Sequence, residues 1–335
     1  MSKKVLIAGG AGFIGSNFIR HTKEVHPDWE LIVFDVLTYA GNLENLEGVE
    51  YKFINGDIAD EKAVEQAFET HKPEYVVNFA AETHVDRSIL GPKVFLRTNV
   101  EGTQNLLESA KKHKVERYLQ ISTDEVYGDL GDNSNDFFRE DTPLDPNCPY
   151  AASKAAADIF VRSYYETYKL PILITRCTNN YGPYQFPEKL IPFFIFRALN
   201  NETLPLYGDG KNIRDWLFVR DHARAILSVL ERGAIGEVYN IGGHNEKTNI
   251  EIAEILLEKL GKSKDLITFI KDRKAHDRRY AMDALKIKKE LGWTPEFPFE
   301  VWIDETIEWY LSNKKWVENC AKKAEDFYQQ NLQNR

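Results

Sequence analysis

The sequence predicts an α/β fold, built on a doubly wound parallel sheet with a smaller α+β lobe at the C-terminal side. In the first half of the chain, short apolar runs alternate with longer segments whose apolar residues recur at helical spacing. The runs lack polar alternation, as expected for strands that helices cover on both faces. After residue 178 the turns become frequent and short strands mix with helices, which indicates a second unit.

The apolar runs predict six strands of the sheet. The first five are 5–8, 31–34, 51–54, 75–79 and 118–121. A long helix is predicted over 150–168, and an apolar sixth strand over 172–175. We therefore predict a first domain over 1–178, to which some later segments return, a lobe over 179–312 and a polar tail over 313–335.

Composition excludes several classes of function. The chain has 335 residues and a net charge of −9, and its basic residues are scattered, which argues against nucleic-acid binding. The cysteines, Cys148, Cys177 and Cys320, are too few and too irregular for a disulfide framework or a zinc site. No segment approaches about 20 consecutive apolar residues. We expect a cytoplasmic protein with no metal, no membrane partner and no nucleic-acid partner.

A glycine-rich turn follows the first predicted strand and opens a helix. Gly9, Gly12 and Gly15 stand three residues apart. Glycines at this spacing let the backbone approach a pyrophosphate, whose charge the helix N-terminus attracts. Asp35 ends the second predicted strand, where a carboxylate accepts hydrogen bonds from an adenosine ribose and repels a 2′-phosphate. The pattern predicts a Rossmann domain that binds NAD rather than NADP.

Two pairs of residues indicate chemistry near this nucleotide site. Tyr150 and Lys154 are four apart on the long predicted helix and face the same way, so the ammonium, with an oxidised nicotinamide, should lower the tyrosine pKa from about 10. Asp124 and Glu125 follow the fifth strand, where one shared cavity would separate their pKa values into an acid and a base. Two simpler interpretations are an ordinary amphipathic helix for Tyr150 and Lys154 and a solvated surface for Asp124 and Glu125. The nucleotide motif argues against both.

Together these motifs resemble the dTDP-glucose 4,6-dehydratases, a family of the extended short-chain dehydrogenase/reductase superfamily, over about residues 3–312. The segments that carry the likeness are Gly9–Ser16, Asn78–Ser88, Ser122–Gly128, Tyr150-x-x-x-Lys154 and Arg176–Pro183. The adjacent Thr123-Asp124-Glu125 distinguishes dehydratases from epimerases and decarboxylases. Thr83, where serine is more usual, and Lys274-Ala275 beside His276 depart from the pattern. The second departure leaves open whether the base is thymine or uracil.

The resemblance implies a reaction and a role for each catalytic residue. Tyr150, assisted by Lys154 and Thr123, is implied to take the proton of the sugar C4 hydroxyl while NAD oxidises C4. Glu125 is implied to remove the C5 proton while a protonated Asp124 donates to the departing C6 hydroxyl, and the hydride then returns to C6. The product is a 4-keto-6-deoxy sugar nucleotide. Whether epimerisation at C5 accompanies the reaction is left open.

The resemblance also implies two sets of binding residues and a homodimer. The residues implied for NAD are Gly9, Gly12, Phe13, Ile14, Gly15, Asp35, Leu37, Thr38, Asp57, Ile58, Ala80, Ala81, Glu82, Thr98, Tyr150, Lys154 and Asn180. The residues implied for the nucleotide-diphosphate sugar are His84, Thr123, Asp124, Glu125, Asn179, Lys189, Leu190, Pro205, Tyr207, Arg214, Asn249, Arg273 and His276. The homodimer is implied to pair through helices within 92–113 and 150–168.

Two other interpretations share the fold. A UDP-sugar 4,6-dehydratase or a sugar-nucleotide 4-epimerase would carry the same glycine and Tyr-Lys motifs. An epimerase needs no acid to expel a C6 hydroxyl. Loss of Asp124 and Glu125 would therefore abolish the activity of a dehydratase but leave that of an epimerase largely intact. A non-catalytic NAD-binding sensor is a different class of protein on the same fold. The intact catalytic residues argue against that sensor.

Overall fold

In the computed structural model, which describes residues 2–131 and 136–322, a seven-stranded parallel sheet forms the centre of the first domain. The strands are β1 (Lys4–Ala8), β2 (Glu30–Asp35), β3 (Lys52–Asn55), β4 (Tyr75–Asn78), β5 (Arg117–Thr123), β6 (Ile172–Cys177), β7 (Asn179–Tyr181), β8 (Leu204–Tyr207), β9 (Ile213–Phe218), β10 (Val238–Ile241), β11 (Glu246–Thr248) and β12 (Ile267–Ile270). In the seven-stranded sheet the order is β3-β2-β1-β4-β5-β6-β10.

Helices connect the strands of this sheet. The helices are α1 (Phe13–Val25), α2 (Glu61–His71), α3 (Val85–Leu90), α4 (Lys93–Phe95), α5 (Thr103–Lys112), α6 (Pro149–Tyr168), α7 (Leu190–Leu199), α8 (Val219–Arg232), α9 (Asn249–Lys259), α10 (Leu285–Leu291) and α11 (Phe299–Ser312). A π-helical segment, Leu96–Gly102, joins α4 to α5, and 3-10 helices occupy Leu43–Leu46, Asp124–Tyr127 and Lys264–Leu266. No helix of the described residues is both long and apolar enough to cross a membrane.

The sheet confirms the predicted doubly wound fold. The chain builds β1, β2 and β3 towards one edge, then returns to β4 beside β1 and continues to the other edge. Each of the six predicted strands overlaps an observed one, and the sixth extends to Cys177. The seventh strand, β10, comes from the second half of the chain, and α8 packs against α1. Later segments therefore return to the first domain, although the exact domain boundaries stay a prediction.

The strands of the sheet centre are apolar on both faces because helices cover both. Val5, Leu6, Ile7 and Ala8 of β1 are all fully buried. Such β-branched and aliphatic residues suit an extended chain between two helical layers. The helix α6 begins with proline in its first turn and with Cys148 Sγ accepting from a backbone amide, so its start is defined locally.

The lobe that follows has a mixed architecture. Strands β11, β9 and β7 form a three-stranded sheet, and β12 pairs with β8. An apolar cluster that includes Tyr181, Phe218 and Phe299 fills the space between these strands and the helices α7, α9 and α11. The lobe thus has its own core, which lies beside the carboxyl end of β6.

The first part of the predicted polar tail is packed against the protein. Residues 314–322 are helical, and Trp316, Val317 and Cys320 are buried. Trp316 Nε1 donates a hydrogen bond to Asn45 Oδ1 at 2.8 Å. The polar composition of 313–335 hides these apolar positions, and residues 323–335 lie outside the described part of the chain.

We expect Trp316→Ala to lower the free energy of unfolding by about 3–5 kcal/mol, because it removes a buried ring and leaves Asn45 without its donor. Trp316→Phe should cost less, since most of the packing remains. Urea unfolding followed by circular dichroism measures both. Val301→Ala, at an exposed position of α11, is the control and should stay within about 0.5 kcal/mol of the wild type. A Trp316→Ala variant as stable as this control would contradict the packing.

Candidate active site

A cavity of about 390 Å³ opens at the carboxyl edge of the parallel sheet. It is lined by the turn after β1 and by the ends of β2, β4, β5 and β6. Parallel strands bring their carboxyl ends to one edge, and the reversal of strand order between β1 and β4 opens a crevice there. The cavity is therefore located where an open α/β sheet binds its ligand.

Most residues predicted for the cofactor line this cavity. They are Gly9, Gly12, Phe13, Ile14, Gly15, Asp35, Thr38, Asp57, Ile58, Ala80, Ala81, Glu82, Thr98, Tyr150, Lys154 and Asn180. Leu37 is not among the lining residues. Its backbone N–H instead donates to Asp35 Oδ1 at 2.8 Å, so it acts on the site through that carboxylate.

The glycine turn brings backbone against backbone. Gly9 has φ +74°, and a Cβ atom there would lie 2.5 Å from the backbone nitrogen of Ala80. A Cβ atom on Gly15 would lie 2.5 Å from the carbonyl oxygen of Gly9. Helix α1 begins directly after Gly12 without a side-chain cap, so its first N–H groups face the cavity side free of competing side-chain acceptors. This turn fits a pyrophosphate.

Asp35 is held at the end of β2 by two backbone donors. Its Oδ2 accepts from the N–H of Ala11 at 3.0 Å, and its Oδ1 accepts from Leu37. The side chain is buried and lines the cavity. A carboxylate in this place suits the ribose hydroxyls of NAD and disfavours the extra phosphate of NADP. The residues at this end of the cavity therefore fit NAD.

At the other end of the cavity, α6 presents Tyr150 and Lys154 beside the residues that end β5. Lys154 is buried, and its Nζ donates to the carbonyl oxygen of Ile121 at 2.6 Å. Thr123 accepts from the N–H of Glu125 at 3.4 Å and caps the 3-10 helix that starts there. This tight turn lets Asp124 and Glu125, although adjacent in sequence, both line the cavity.

The two carboxyl groups have different electrostatic surroundings. Burial raises the pKa of Asp124 well above its usual value, and the charge of Glu125 adds to the rise. Burial also raises the pKa of Glu125, but Arg273, Arg214 and Lys189 act in the opposite direction. These causes favour Asp124 as the protonated member of the pair and Glu125 as the ionised one. The predicted separation into acid and base agrees with these directions, with burial as the larger cause.

The pKa of Tyr150 differs from the one that the Tyr-x-x-x-Lys spacing predicts. Burial raises it well above 10, and Glu125 adds to the rise, while a hydrogen bond with Thr123 lowers it. Burial lowers the pKa of Lys154, and the nearby Asp158 opposes that effect. The protein's own groups thus keep Tyr150 protonated, and Lys154 alone does not bring its pKa into the working range.

The residues predicted for the nucleotide sugar divide into two groups. Those that line the cavity are Thr123, Asp124, Glu125, Asn179 and Lys189. Those outside its lining are His84, Leu190, Pro205, Tyr207, Arg214, Asn249, Arg273 and His276.

Three of the second group cluster around α3. Tyr207 OH donates to Asp86 Oδ2 at 3.3 Å, and Arg273 Nη1 lies 3.6 Å from Asp86 Oδ1. The ring of His276 packs edge-on against Tyr207 at 5.9 Å, and its Nδ1 lies 2.6 Å from Asp272 Oδ1. The lobe therefore contacts the first domain through this cluster.

Arg214 is positioned by backbone and by an aromatic ring. Its Nη2 donates to the carbonyl oxygen of Asp277 at 2.9 Å, and its guanidinium lies 4.2 Å above the Tyr280 ring. Like Arg273, it is close enough to lower the pKa of Glu125. These cations therefore extend the site from the catalytic acids into the lobe.

Lys189 and His84 link the lobe to the loop after β4. Lys189 Nζ donates to the carbonyl oxygen of Thr83 at 3.3 Å, and His84 Nε2 lies 3.7 Å from Glu188 Oε2. The remaining three predicted residues lie within helices and strands of the lobe. Leu190 is the first residue of α7 and Asn249 is the first residue of α9, while Pro205 lies in β8 opposite Thr268.

Several cavity residues were missed by the sequence argument. Glu188 accepts a hydrogen bond from Tyr39 OH at 3.0 Å, and Glu188, Cys177, Thr178 and Arg97 line the cavity. Glu188 adjoins the predicted Lys189, and Cys177 lies in the segment Arg176–Pro183 that carries the resemblance. Their positions next to these predicted residues were the only indication in the sequence, because the contacts that form the cavity join segments far apart in sequence.

Comparison with known proteins agrees with this geometry. The family model described as GDP-mannose 4,6 dehydratase matches residues 6–306. A dTDP-glucose 4,6-dehydratase of Neisseria meningitidis serogroup B is 50% identical, with 95% of this chain and 96% of that protein covered. The dTDP-glucose 4,6-dehydratase 1 of Escherichia coli K12 is 48% identical, with 99% of each chain covered.

Solved structures give the same result. The dTDP-glucose 4,6-dehydratase of Streptomyces venezuelae with NAD bound is 47% identical, with a TM-score of 0.91 and coverage of 95% of this chain and 99% of that one. The UDP-glucose 4-epimerase of Thermotoga maritima is 32% identical, with a TM-score of 0.86 and coverage of 92% and 99%. The resemblance seen in the motifs is thereby confirmed, and the chain belongs to the dTDP-glucose 4,6-dehydratase family.

Proposed function

We propose that the protein converts dTDP-glucose to the 4-keto-6-deoxy sugar nucleotide by an NAD-dependent loss of water. The observation that carries the proposal is the meeting of Asp124 and Glu125 with Tyr150 and Lys154 at one end of a dinucleotide cavity. A dehydratase needs both pairs, whereas an epimerase needs only the second. Relatives about 50% identical bear the name of this reaction. In line with the composition, we place the reaction in the cytoplasm.

The residues that suit NAD line the carboxyl edge of the sheet. Gly9, Gly12 and Gly15 would hold the pyrophosphate, Asp35 would hold the adenosine ribose, and Asn180 would lie at the nicotinamide end. When bound, NAD supplies the oxidation that activates the sugar and the reduction that completes the product, so no net NADH is released. The protein contributes position and charge.

The first step is removal of the proton from the sugar C4 hydroxyl by Tyr150. The phenol is buried and forms a hydrogen bond with the Thr123 side chain. Because burial raises the pKa of Tyr150, its phenol can lose a proton only when positive charge in the site stabilises the phenolate. Lys154 contributes to that charge. Tyr150 is therefore a base only when the site is fully assembled, which limits unproductive chemistry in the free protein.

The second step is elimination across C5 and C6. Oxidation at C4 acidifies the proton on C5, and Glu125 takes that proton. Asp124, which burial keeps protonated, gives its proton to the leaving C6 hydroxyl, so the C6–O bond breaks and water departs. Neighbouring positions in one 3-10 helix place acid and base on the same side of the sugar.

The lobe binds the nucleotide diphosphate. Arg214 and Arg273 suit the pyrophosphate oxygens, because a guanidinium fork donates two parallel hydrogen bonds. Tyr207 and His276, whose rings pack against each other, suit the base and its sugar. Specificity for thymine is part of this proposal and is tested directly with the uridine analogue.

Incubation of the purified protein with dTDP-glucose and, in parallel, UDP-glucose tests the function. We expect loss of water from dTDP-glucose, seen by mass spectrometry and by the alkali-induced absorbance of a 4-keto sugar, without accumulation of NADH. Preference for UDP-glucose would reassign the nucleotide. Intact substrates, or a change of stereochemistry without loss of mass, would contradict a dehydratase.

The variants Asp124→Asn and Glu125→Gln separate elimination from oxidation. Each should lower kcat by about 10²–10⁴-fold, the usual contribution of a positioned acid or base. Oxidation at C4 does not need them, so NADH absorbance should build up on the enzyme in a single turnover. Asp141→Asn, at an exposed position, is the control and should behave as the wild type. Unchanged turnover in the double variant would favour an epimerase.

We also propose that the protein is a homodimer that pairs through α3, α6 and the π-helical segment between α4 and α5. These elements leave apolar side chains exposed, with Leu90 73%, Leu96 58%, Ile159 60% and Phe160 40% exposed. Such a concentration of exposed apolar side chains is typical of an interaction surface.

Light scattering after gel filtration checks the dimer. We expect the mass of two chains for the wild type and of one chain for Ile159→Glu, because a charge buried without a partner is costly. Val301→Glu, equally exposed on α11, should remain dimeric. A monomeric wild type would refute the proposal, and a dimeric Ile159→Glu would move the interface elsewhere.

A further inference from the structure

Three buried charged side chains lie together on α6 and β6. Lys154 and Asp158 are one helical turn apart on α6, and Arg176 is on β6; their exposures are 4%, 2% and 6%. Two cations thus share one carboxylate in a region with little access to water. Charges are rarely buried without a structural or functional reason, because desolvation of each one is costly.

Arg176 is fixed by several contacts. Its Nε donates to Asp158 Oδ2 at 2.9 Å, and its Nη1 donates to Tyr127 OH at 2.8 Å. The guanidinium also lies 4.8 Å from the centre of the Tyr127 ring. Tyr127 OH in turn donates to Asn240 Oδ1 at 2.8 Å. The Arg176 side chain therefore joins β6 to α6 and to the 3-10 helix Asp124–Tyr127, and through Tyr127 to β10, which leaves Asp158 little freedom to move.

The second oxygen of Asp158 is used differently. Among the described residues, Oδ1 is buried and has no hydrogen-bond partner. A buried carboxylate oxygen without a donor is stabilised by the field of a nearby cation, and Lys154 lies four residues earlier on the same helix face. Arg176 thus holds one oxygen of Asp158, and the carboxylate acts on Lys154 through its charge.

Lys154 is surrounded by few groups that could balance its charge. Tyr150, Asp124 and Cys177 line the same cavity as Lys154, and Arg176 pairs with Asp158. Asp158 and Cys177 act on the pKa of Lys154. Burial lowers the pKa of Lys154, and Asp158 is the strongest influence in the opposite direction. Asp158 is the carboxylate of this group that pairs with a cation, through Arg176, whereas burial raises the pKa of Asp124 well above its usual value.

We propose that Asp158, anchored by Arg176, is a positioning residue that keeps Lys154 in its ammonium form beside Tyr150. The proposal rests on the function assigned above to Lys154. Asp158 itself is not among the residues that line the cavity, so it would act through Lys154. A purely structural role, in which the ion pair only joins α6 to β6, would lower stability and rate without changing the pH at which Lys154 titrates.

Asp158→Asn tests the proposal, since it keeps the shape and removes the charge. We expect the titration of Lys154 to move to lower pH by on the order of one unit. Labelling of the lysine side chains with ¹³C, followed by NMR across pH on the NAD-loaded protein, measures this without any sugar. The alkaline limb of kcat should move by the same amount, while the rates of variant and wild type converge at lower pH, where Lys154 is charged in both. Asp158→Glu keeps the negative charge and should therefore return the titration of Lys154 most of the way to the wild-type pH.

Two further variants keep the test decisive. Asp221→Asn removes another buried, arginine-paired carboxylate, on α8, and should lower stability with no shift of Lys154. Arg176→Lys keeps the positive charge of the cluster but removes the two fixed donors that hold Asp158 and Tyr127, so the titration of Lys154 should move to lower pH, in the same direction as in Asp158→Asn. This variant tests the proposal if Asp158→Asn does not fold. An equal loss of rate at every pH with an unchanged Lys154 titration would overturn the proposal. Failure of the wild type to convert dTDP-glucose would refute the function, while the NMR titration would still decide the role of Asp158.

Discussion

The backbone contact between the glycine turn and the end of β4 is the constraint on which the site depends. No side chain fits at Gly9 or Gly15, where a Cβ atom would meet backbone at 2.5 Å. This contact lets β1, α1 and β4 close around the point where the strand order reverses. With neighbouring strands about 4.8 Å apart, the strand ends from β2 to β5 then span on the order of 14 Å. Asp35 lies at one side of that span, and Asp124 and Glu125 lie at the other.

Much of the first domain could be predicted because its signals are local. Apolar runs, helical spacing and a glycine turn each occupy a few consecutive residues, and the parallel sheet that they imply fixes which ends meet. Once the strand order is known, it can therefore be predicted that Asp35, Thr123 and Glu125 lie close to one cavity. Even the adjacent acids follow this logic, although the 3-10 helix that turns both inward is visible only in the structure.

The rest could not be predicted because it depends on burial and on contacts between distant segments. The pKa of Tyr150 is raised by desolvation, which a spacing of four residues does not reveal. Tyr207 and Arg273 meet Asp86 across more than a hundred residues of sequence. Trp316 is hidden in a polar segment, and its partner Asn45 lies near the other end of the chain. In each case the local pattern favours a different or weaker conclusion.

The distribution of charge divides the molecule by task. The first domain contributes the groups whose protonation changes, and it buries them so that small differences in their surroundings have large effects. The lobe contributes the permanent cations Arg214 and Arg273, which lower the pKa of Glu125 but do not act on Tyr150 in the same way. In the function proposed above, a diphosphate bound to these arginines would offset their charge and so act on the pKa of Glu125 more than on that of Tyr150. The arginines and the diphosphate together would then set how readily Glu125 accepts a proton.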